Sequence, residues 1–166
     1  MEKLMIRGFF DFLAKMGLSV RDDPPKVIEL TGRAWGDTVD GLALSVRQAP
    51  NDDSSAVPAL SVVLRNVGAT PRRLTTPGWL FFYRIDMLGP DGAPASLTPF
   101  GRELLRPERN TEKTTVALAP GEATETLLPV GSIFAMRAKG RYRVEASCQP
   151  PDAASALRSN SVYLTN

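Results

Sequence analysis

The chain has 166 residues, 43% of them hydrophobic, and carries 20 Lys and Arg against 18 Asp and Glu, a formal net charge of +2. That length and apolar share suit one packed domain with an extension and exclude a wholly disordered chain; so small a net charge gives no electrostatic case for nucleic acid or an anionic membrane. Histidine is absent and Cys148 is the single cysteine, which removes the commonest general base, the commonest metal ligand and any intrachain disulfide.

From the N-terminus, Lys3, Arg7, Asp11 and Lys15 recur every four residues and share one side of a helix expected over residues 2–16. Met5, Phe9, Phe12, Leu13 and Met16 fall largely on the other side, and Gly17 is a reasonable stop. Asp11 and Lys15 interrupt the apolar stretch, so no secretory signal is expected, and no run is long enough to cross a bilayer. No compartment is assigned. Residues 21–25, Arg-Asp-Asp-Pro-Pro, read as a linker. The expected division is a helix and linker over 1–25 and a β domain over 26–166.

Residues 27–31 read as a short strand. Leu42, Leu44 and Val46 alternate with Ala43, Ser45 and Arg47, and Leu60, Val62 and Leu64 continue the period of two after a polar loop at 49–58. Residues 72–76 read as a brief pairing segment. Residues 79–88 are almost wholly apolar and aromatic, which predicts a central strand, and Gly89-Pro90-Asp91-Gly92 turns the chain. Residues 101–113 carry seven charges and read as a solvated loop or short helix. Residues 114–118 and 122–128 flank Ala119-Pro120-Gly121 and read as a hairpin. Ile133, Phe134 and Met136 predict a helical turn plugging one end of the domain. Tyr142 and Val144 alternate with Arg141, Arg143 and Glu145, and Ser161 to Thr165 form the last strand. The fold class is all-β: an antiparallel sandwich of seven to nine strands with an N-terminal amphipathic helix.

Leu64-Arg65-Asn66-Val67-Gly68, Gly89-Pro90-Asp91-Gly92, Leu118-Ala119-Pro120-Gly121-Glu122 and Gly140-Arg141-Tyr142-Arg143-Val144 follow one another in an order that resembles bacterial immunoglobulin-like or fibronectin type III-like accessory domains. The resemblance covers roughly residues 40–166. The order of strand, turn and Pro-Gly-Glu segment is also similar to that of the intracellular proteinase inhibitors of bacilli. The Gly-x-Tyr-x-apolar start of the penultimate strand resembles the tyrosine corner of immunoglobulin-like sandwiches. The cysteine pair of antibody domains is missing, and Val144 stands where its second member would be. The resemblance implies a non-catalytic binding or spacer module; its proteinase-inhibitor side implies an exposed loop that occupies a protease cleft.

Neither a phosphate-binding glycine loop, nor Gly-x-Ser-x-Gly, nor metal-ligand spacing is present, so no catalytic residue, cofactor or metal site is expected. Glu122 and Glu125 are three apart on an expected strand and so face opposite ways, which argues against glycosidase chemistry, and a hydrolase is the least favoured reading. Asp37, Asp40, Asn51, Asp52 and Asp53 are loop carboxylates and amides that serve turns more often than calcium. Cys148 reads as a small half-buried residue at a strand end. The candidate partner-contacting residues are Phe9, Phe12 and Met16 on the helix, Trp35, and Arg141 and Arg143 within a basic stripe that includes Arg137 and Lys139. The expected partner is another protein or a glycan, and the helix is a candidate for self-association.

Overall fold

The computed structural model describes residues 29–50, 57–76, 82–106 and 113–166. The helix expected over 2–16 with Phe9, Phe12 and Met16, the linker at 21–25, the Asn51 to Asp53 cluster and Trp79 lie outside them. Among the described residues, nine strands form three antiparallel sheets. The first sheet is ordered β1 (Leu42–Gln48), β2 (Leu60–Asn66), β6 (Ala123–Leu128). The second pairs β3 (Arg72–Thr76) with β5 (Thr114–Leu118). In the third, β7 (Arg141–Cys148) is flanked on one side by β4 (Tyr83–Leu88). On its other side the two short strands β8 (Leu157–Arg158) and β9 (Val162–Thr165) pair with opposite ends of β7.

Side-chain alternation explains why these segments are strands. In β7, Tyr142, Val144, Ala146 and Cys148 are buried, whereas Arg141 and Arg143 are exposed and Glu145 and Ser147 half-buried. Leu42, Leu44 and Val46 of β1 and Leu60, Val62 and Leu64 of β2 join Tyr142, Val144, Met87 and Leu164 in one hydrophobic cluster, so the first and third sheets share a core. Each of these leucines contributes about 1.5–3 kcal/mol by leaving water. The fold is therefore mostly β and antiparallel throughout, as the period-two pattern predicts.

Two short helices close one end. Thr98 caps α1 (Pro99–Leu104) by accepting from Gly101 N at 2.8 Å. The second, α2 (Val130–Ile133), buries Val130 and Ile133. A Cβ on Gly101 would lie 2.2 Å from the Ile133 carbonyl oxygen, so only glycine lets the two helices approach. The plug expected at Ile133, Phe134 and Met136 begins earlier, at Val130, and Phe134 is already extended. The charged stretch at 101–113 starts inside α1, which takes in Arg102 and Glu103.

Three expectations are corrected. The segments flanking residues 119–121 are not a hairpin: β5 pairs with β3 and β6 with β2, so the turn carries the chain from the second sheet to the first. The apolar run at 79–88 does not supply a central strand: its described part, β4, lies at the margin of its sheet, and β7 takes the centre. The described part of the segment at 27–31 is not a strand; Thr31 and Gly32 form a turn with Gly32 at φ +72.

The crossing at 119–121 is fixed by Asn66, which has no exposed surface. Its backbone N–H donates to Glu122 O at 2.9 Å and its carbonyl accepts from Gly121 N at 2.8 Å. Its side-chain Nδ2 donates to Thr70 O at 2.8 Å and Leu118 O at 2.9 Å, and Oδ1 accepts from Gly68 N at 3.0 Å. The other end of the domain is pinned by Tyr142, whose hydroxyl donates to Ala138 O at 2.9 Å and accepts from Ala138 N at 3.0 Å.

Asn66→Ala leaves the buried Leu118 carbonyl without its side-chain donor and removes the bonds to Thr70 O and from Gly68 N, whose N–H keeps Gly41 O, and is expected to lower stability by about 1–3 kcal/mol. Asn66→Asp loses both donors and buries a charge, so it should do no better than alanine. Urea denaturation of the three proteins checks this; a loss below about 0.5 kcal/mol for Asn66→Ala would show that Asn66 does not hold the crossing.

Candidate functional site

Strand alternation and register assemble the outer face of the third sheet. Arg84 and Asp86 of β4, Arg141, Arg143 and Glu145 of β7, and Tyr163 of β9 point away from the core. Asp86 lies directly opposite Glu145, and Arg143 opposite Tyr163. Two carboxylates facing each other across strands repel. Each is compensated along its own strand: Arg84 Nε lies 3.1 Å from Asp86 and Arg143 Nε 3.1 Å from Glu145. Glu145 also accepts a hydrogen bond from Ser161 Oγ. The Ser161 bond, then Arg143, holds the Glu145 carboxyl below its ordinary range.

Arg141 behaves differently from Arg143. Its guanidinium sits 4.2 Å from the centroid of the Tyr163 ring, a cation–π stack. Among the described residues it has no carboxylate partner. Tyr163 remains 51% exposed beneath this contact, the most open large apolar side chain among the described residues.

The opposite outer face, that of the first sheet, is covered over β1 and β2 but open along β6, where Leu127, opposite Ser61, is 45% exposed. Ser45, Ser61 and Val63 point to it and have no exposed surface. Residues 33–36 lie on or beside it: Ser45 Oγ donates to Ala34 O at 2.6 Å, and Gly36 N donates to Leu44 O at 2.9 Å. The fully buried Arg33 side chain donates to Ser61 Oγ at 2.6 Å and to Glu125 Oε1 at 3.2 Å, and Ser61 in turn donates to Glu125. Burial, and next Arg47, lower the Arg33 pKa, while Glu125 opposes them.

Of the residues singled out from sequence, Arg141 and Arg143 come together with Tyr163. Trp35 does not join them. It is half-buried on the first sheet with the Arg65 guanidinium 6.0 Å from its ring, which is the position of a side chain covering the sheet. Phe9, Phe12 and Met16 lie outside the described residues. Cys148 is 4% exposed, deeper than the half-buried position expected, and burial pushes its thiol up to about 12, so it is not a thiolate at neutral pH. Asp40 accepts from Ala154 N at 2.7 Å, and no group of three potential metal ligands gathers among the described residues. Glu122 accepts from Ala119 N at 2.7 Å while Glu125 serves Arg33, so the two carboxylates have separate structural partners.

Tyr163 was missed as a site residue although its signal was available: between Val162 and buried Leu164, period two points it outward. The Arg33–Ser61–Glu125 cluster carried no such signal, because its members are up to 92 positions apart.

No protein-family model matches the chain, and no curated protein matches it. Several solved structures are similar at low identity. The GAE domain of GGA2p from Saccharomyces cerevisiae aligns at 8% identity and TM-score 0.29, covering 81% of this chain and 96% of that one. β-Glucosidase 3B from Thermotoga neapolitana aligns at 10% identity and TM-score 0.33, covering 95% of this chain and 20% of that one. A β-D-glucoside glucohydrolase from Trichoderma reesei aligns at 11% identity and TM-score 0.34, with 94% and 22% covered. The chain thus spans about a fifth of each glucosidase chain. Likeness at TM-scores of 0.34 and below supports no functional argument.

Glu125→Ala strands the Arg33 charge and should cost about 1–3 kcal/mol, less than a fully buried pair because Glu125 is one-third exposed. Arg33→Met with Glu125→Leu should recover most of that loss, as a double-mutant cycle by denaturation will show. Glu145 ionises more readily folded than unfolded, so the folded chain binds fewer protons. Its stabilisation is full above about 4.5 and is lost as pH falls through the folded value. Glu145→Gln should cost about 0.5 kcal/mol at neutral pH and nothing in strong acid, a gap that melting curves across pH will track.

Proposed function

We propose that the chain is an immunoglobulin-like β-sandwich preceded by an amphipathic helix, and that it acts as a non-enzymatic binding module for another protein or a glycan. The sandwich reading is supported by the core shared between the β1–β2–β6 and β4–β7–β9 sheets and by the Tyr142 hydroxyl returning to the Ala138 backbone at the start of the penultimate long strand. The binding reading rests on one observation: the Arg141–Tyr163 stack stands half exposed on the outer face of the third sheet, whereas the other outer face is covered over β1 and β2. Tyr and Arg are the side chains most often found at energetic hot spots. A non-enzymatic role fits the fate of the groups with most reactive potential, since Cys148 is buried and Glu122 and Glu125 serve the fold.

The test compares wild type with Tyr163→Ala and Arg141→Ala, using cross-linked capture from native extract and a glycan array. Each variant should lose about tenfold or more in affinity for whatever wild type binds, at an unchanged melting temperature. Partners retained at full affinity by both variants would remove this face from the account.

A further inference from the structure

Four basic residues enter β7 in alternation: Arg137, Lys139, Arg141 and Arg143, all exposed. The structure divides them. Arg143 is answered by Glu145. Among the described residues, Arg137, Lys139 and Arg141 form no ion pair. Arg137 also lines an open groove with Pro90, Asp91, Pro94, Ala138 and Tyr142. The one carboxylate in that lining, Asp91, already accepts from Ala93 N at 3.0 Å. The result is a cluster of uncompensated cations at one end of the third sheet, continuous through Arg141 with the half-exposed Tyr163 ring.

Resting on the reading of this face as a binding surface, we infer that its ligand is an acidic polysaccharide. The charge pattern calls for an anion. The cations are solvent-exposed and held in no buried cradle, so each binds a single anion weakly. A polymer bearing repeated carboxylate or sulfate groups engages all three together and releases its condensed counterions, which makes a weak cluster effective. Tyr163 supplies what an acidic peptide does not need and a sugar does: a half-exposed aromatic ring whose face away from Arg141 can take the apolar face of a pyranose ring. Arg141, held on the opposite face of that ring, keeps a charge donor next to the stacked sugar.

Calorimetric titration of the full chain with polygalacturonate and with heparin is the test, with neutral dextran, polyglutamate and a single-stranded oligonucleotide as comparators. Polygalacturonate or heparin should bind, with affinity falling as salt rises, and dextran should not. The Arg137→Gln, Lys139→Gln, Arg141→Gln variant should bind at least about tenfold more weakly. Tyr163→Ala should weaken binding to the polysaccharide and leave any residual binding to polyglutamate unchanged. Arg84→Gln, on the same face but away from the cluster, should behave as wild type. Equal binding of polyglutamate or the oligonucleotide, equal binding of dextran, or an unaffected triple variant overturns the inference. A protein partner whose capture depends on Tyr163 but not on the three cations would end the inference while leaving the binding module standing. Capture indifferent to Tyr163 and Arg141 alike would end both.

Discussion

Asn66 stands at the end of β2 without exposed surface, and each of its polar groups has a backbone partner. An amide in such a place is costly if any partner is lost and informative if all are present, because only one arrangement of the surrounding chain satisfies it. Here that arrangement joins the end of β2, the loop at Thr70, the end of β5 and the entry to β6. The turn at 119–121 would otherwise be free to fold its two flanking segments on each other. With the Leu118 carbonyl held by the Asn66 side chain and Gly121 held by the Asn66 backbone, β5 is directed to β3 and β6 to β2. Gly41 completes the junction: its carbonyl accepts from Val67 N at 2.8 Å, and its φ of +75 and the Gly68 Cα 3.1 Å from its would-be Cβ leave room for no side chain.

This explains how far the sequence could be read. The β1, β2 and β7 segments were legible because one face of each is apolar at alternate positions, and burial selects that pattern directly. The Pro-Gly turn at 120–121 was legible as a reversal, but a reversal does not specify a partner. The partner was chosen by an amide more than fifty positions away, whose hydrogen bonds leave no periodic trace. The marginal place of β4 was hidden for a related reason: an apolar run reports burial, and Tyr83 and Met87 are buried in the shared core although β4 has a strand partner on one side alone among the described residues. Of the candidate site, Arg141 and Arg143 were visible as an outward charged row. The difference between them was not, since it depends on Glu145 and Tyr163 being set beside them by register.

A core shared by two sheets also needs its open margins closed, and the chain does this with side chains where strands run out. The margin of β1 away from β2 has no strand partner among the described residues. Asn160, in the break between β8 and β9, fills the gap by presenting its amide to Val46, donating to Val46 O and accepting from Val46 N, both at 2.9 Å. Ser159 supports the same break by donating its backbone N–H to Ala146 O and accepting from Ala146 N at its hydroxyl. The interruption between the two short strands is thus the device that ties the third sheet to the first.

The two outer faces then differ in a way that bears on function. On the first sheet, a buried guanidinium, two buried serines and Trp35 cover the β1 and β2 part of what could have been a solvent face, and Arg33, Ser61 and Glu125 bond to one another there. On the third sheet no such layer is present among the described residues. Its charges are arranged to cancel in the middle, where Asp86 and Glu145 each hold an arginine, and to remain unanswered toward the Arg137 and Lys139 end. A face meant only to keep the molecule in solution gains nothing from that gradient, since interspersed charge serves solubility equally well. The charged, ring-bearing ligand proposed above would gain from finding the unpaired cations and the half-exposed Tyr163 ring at the same end.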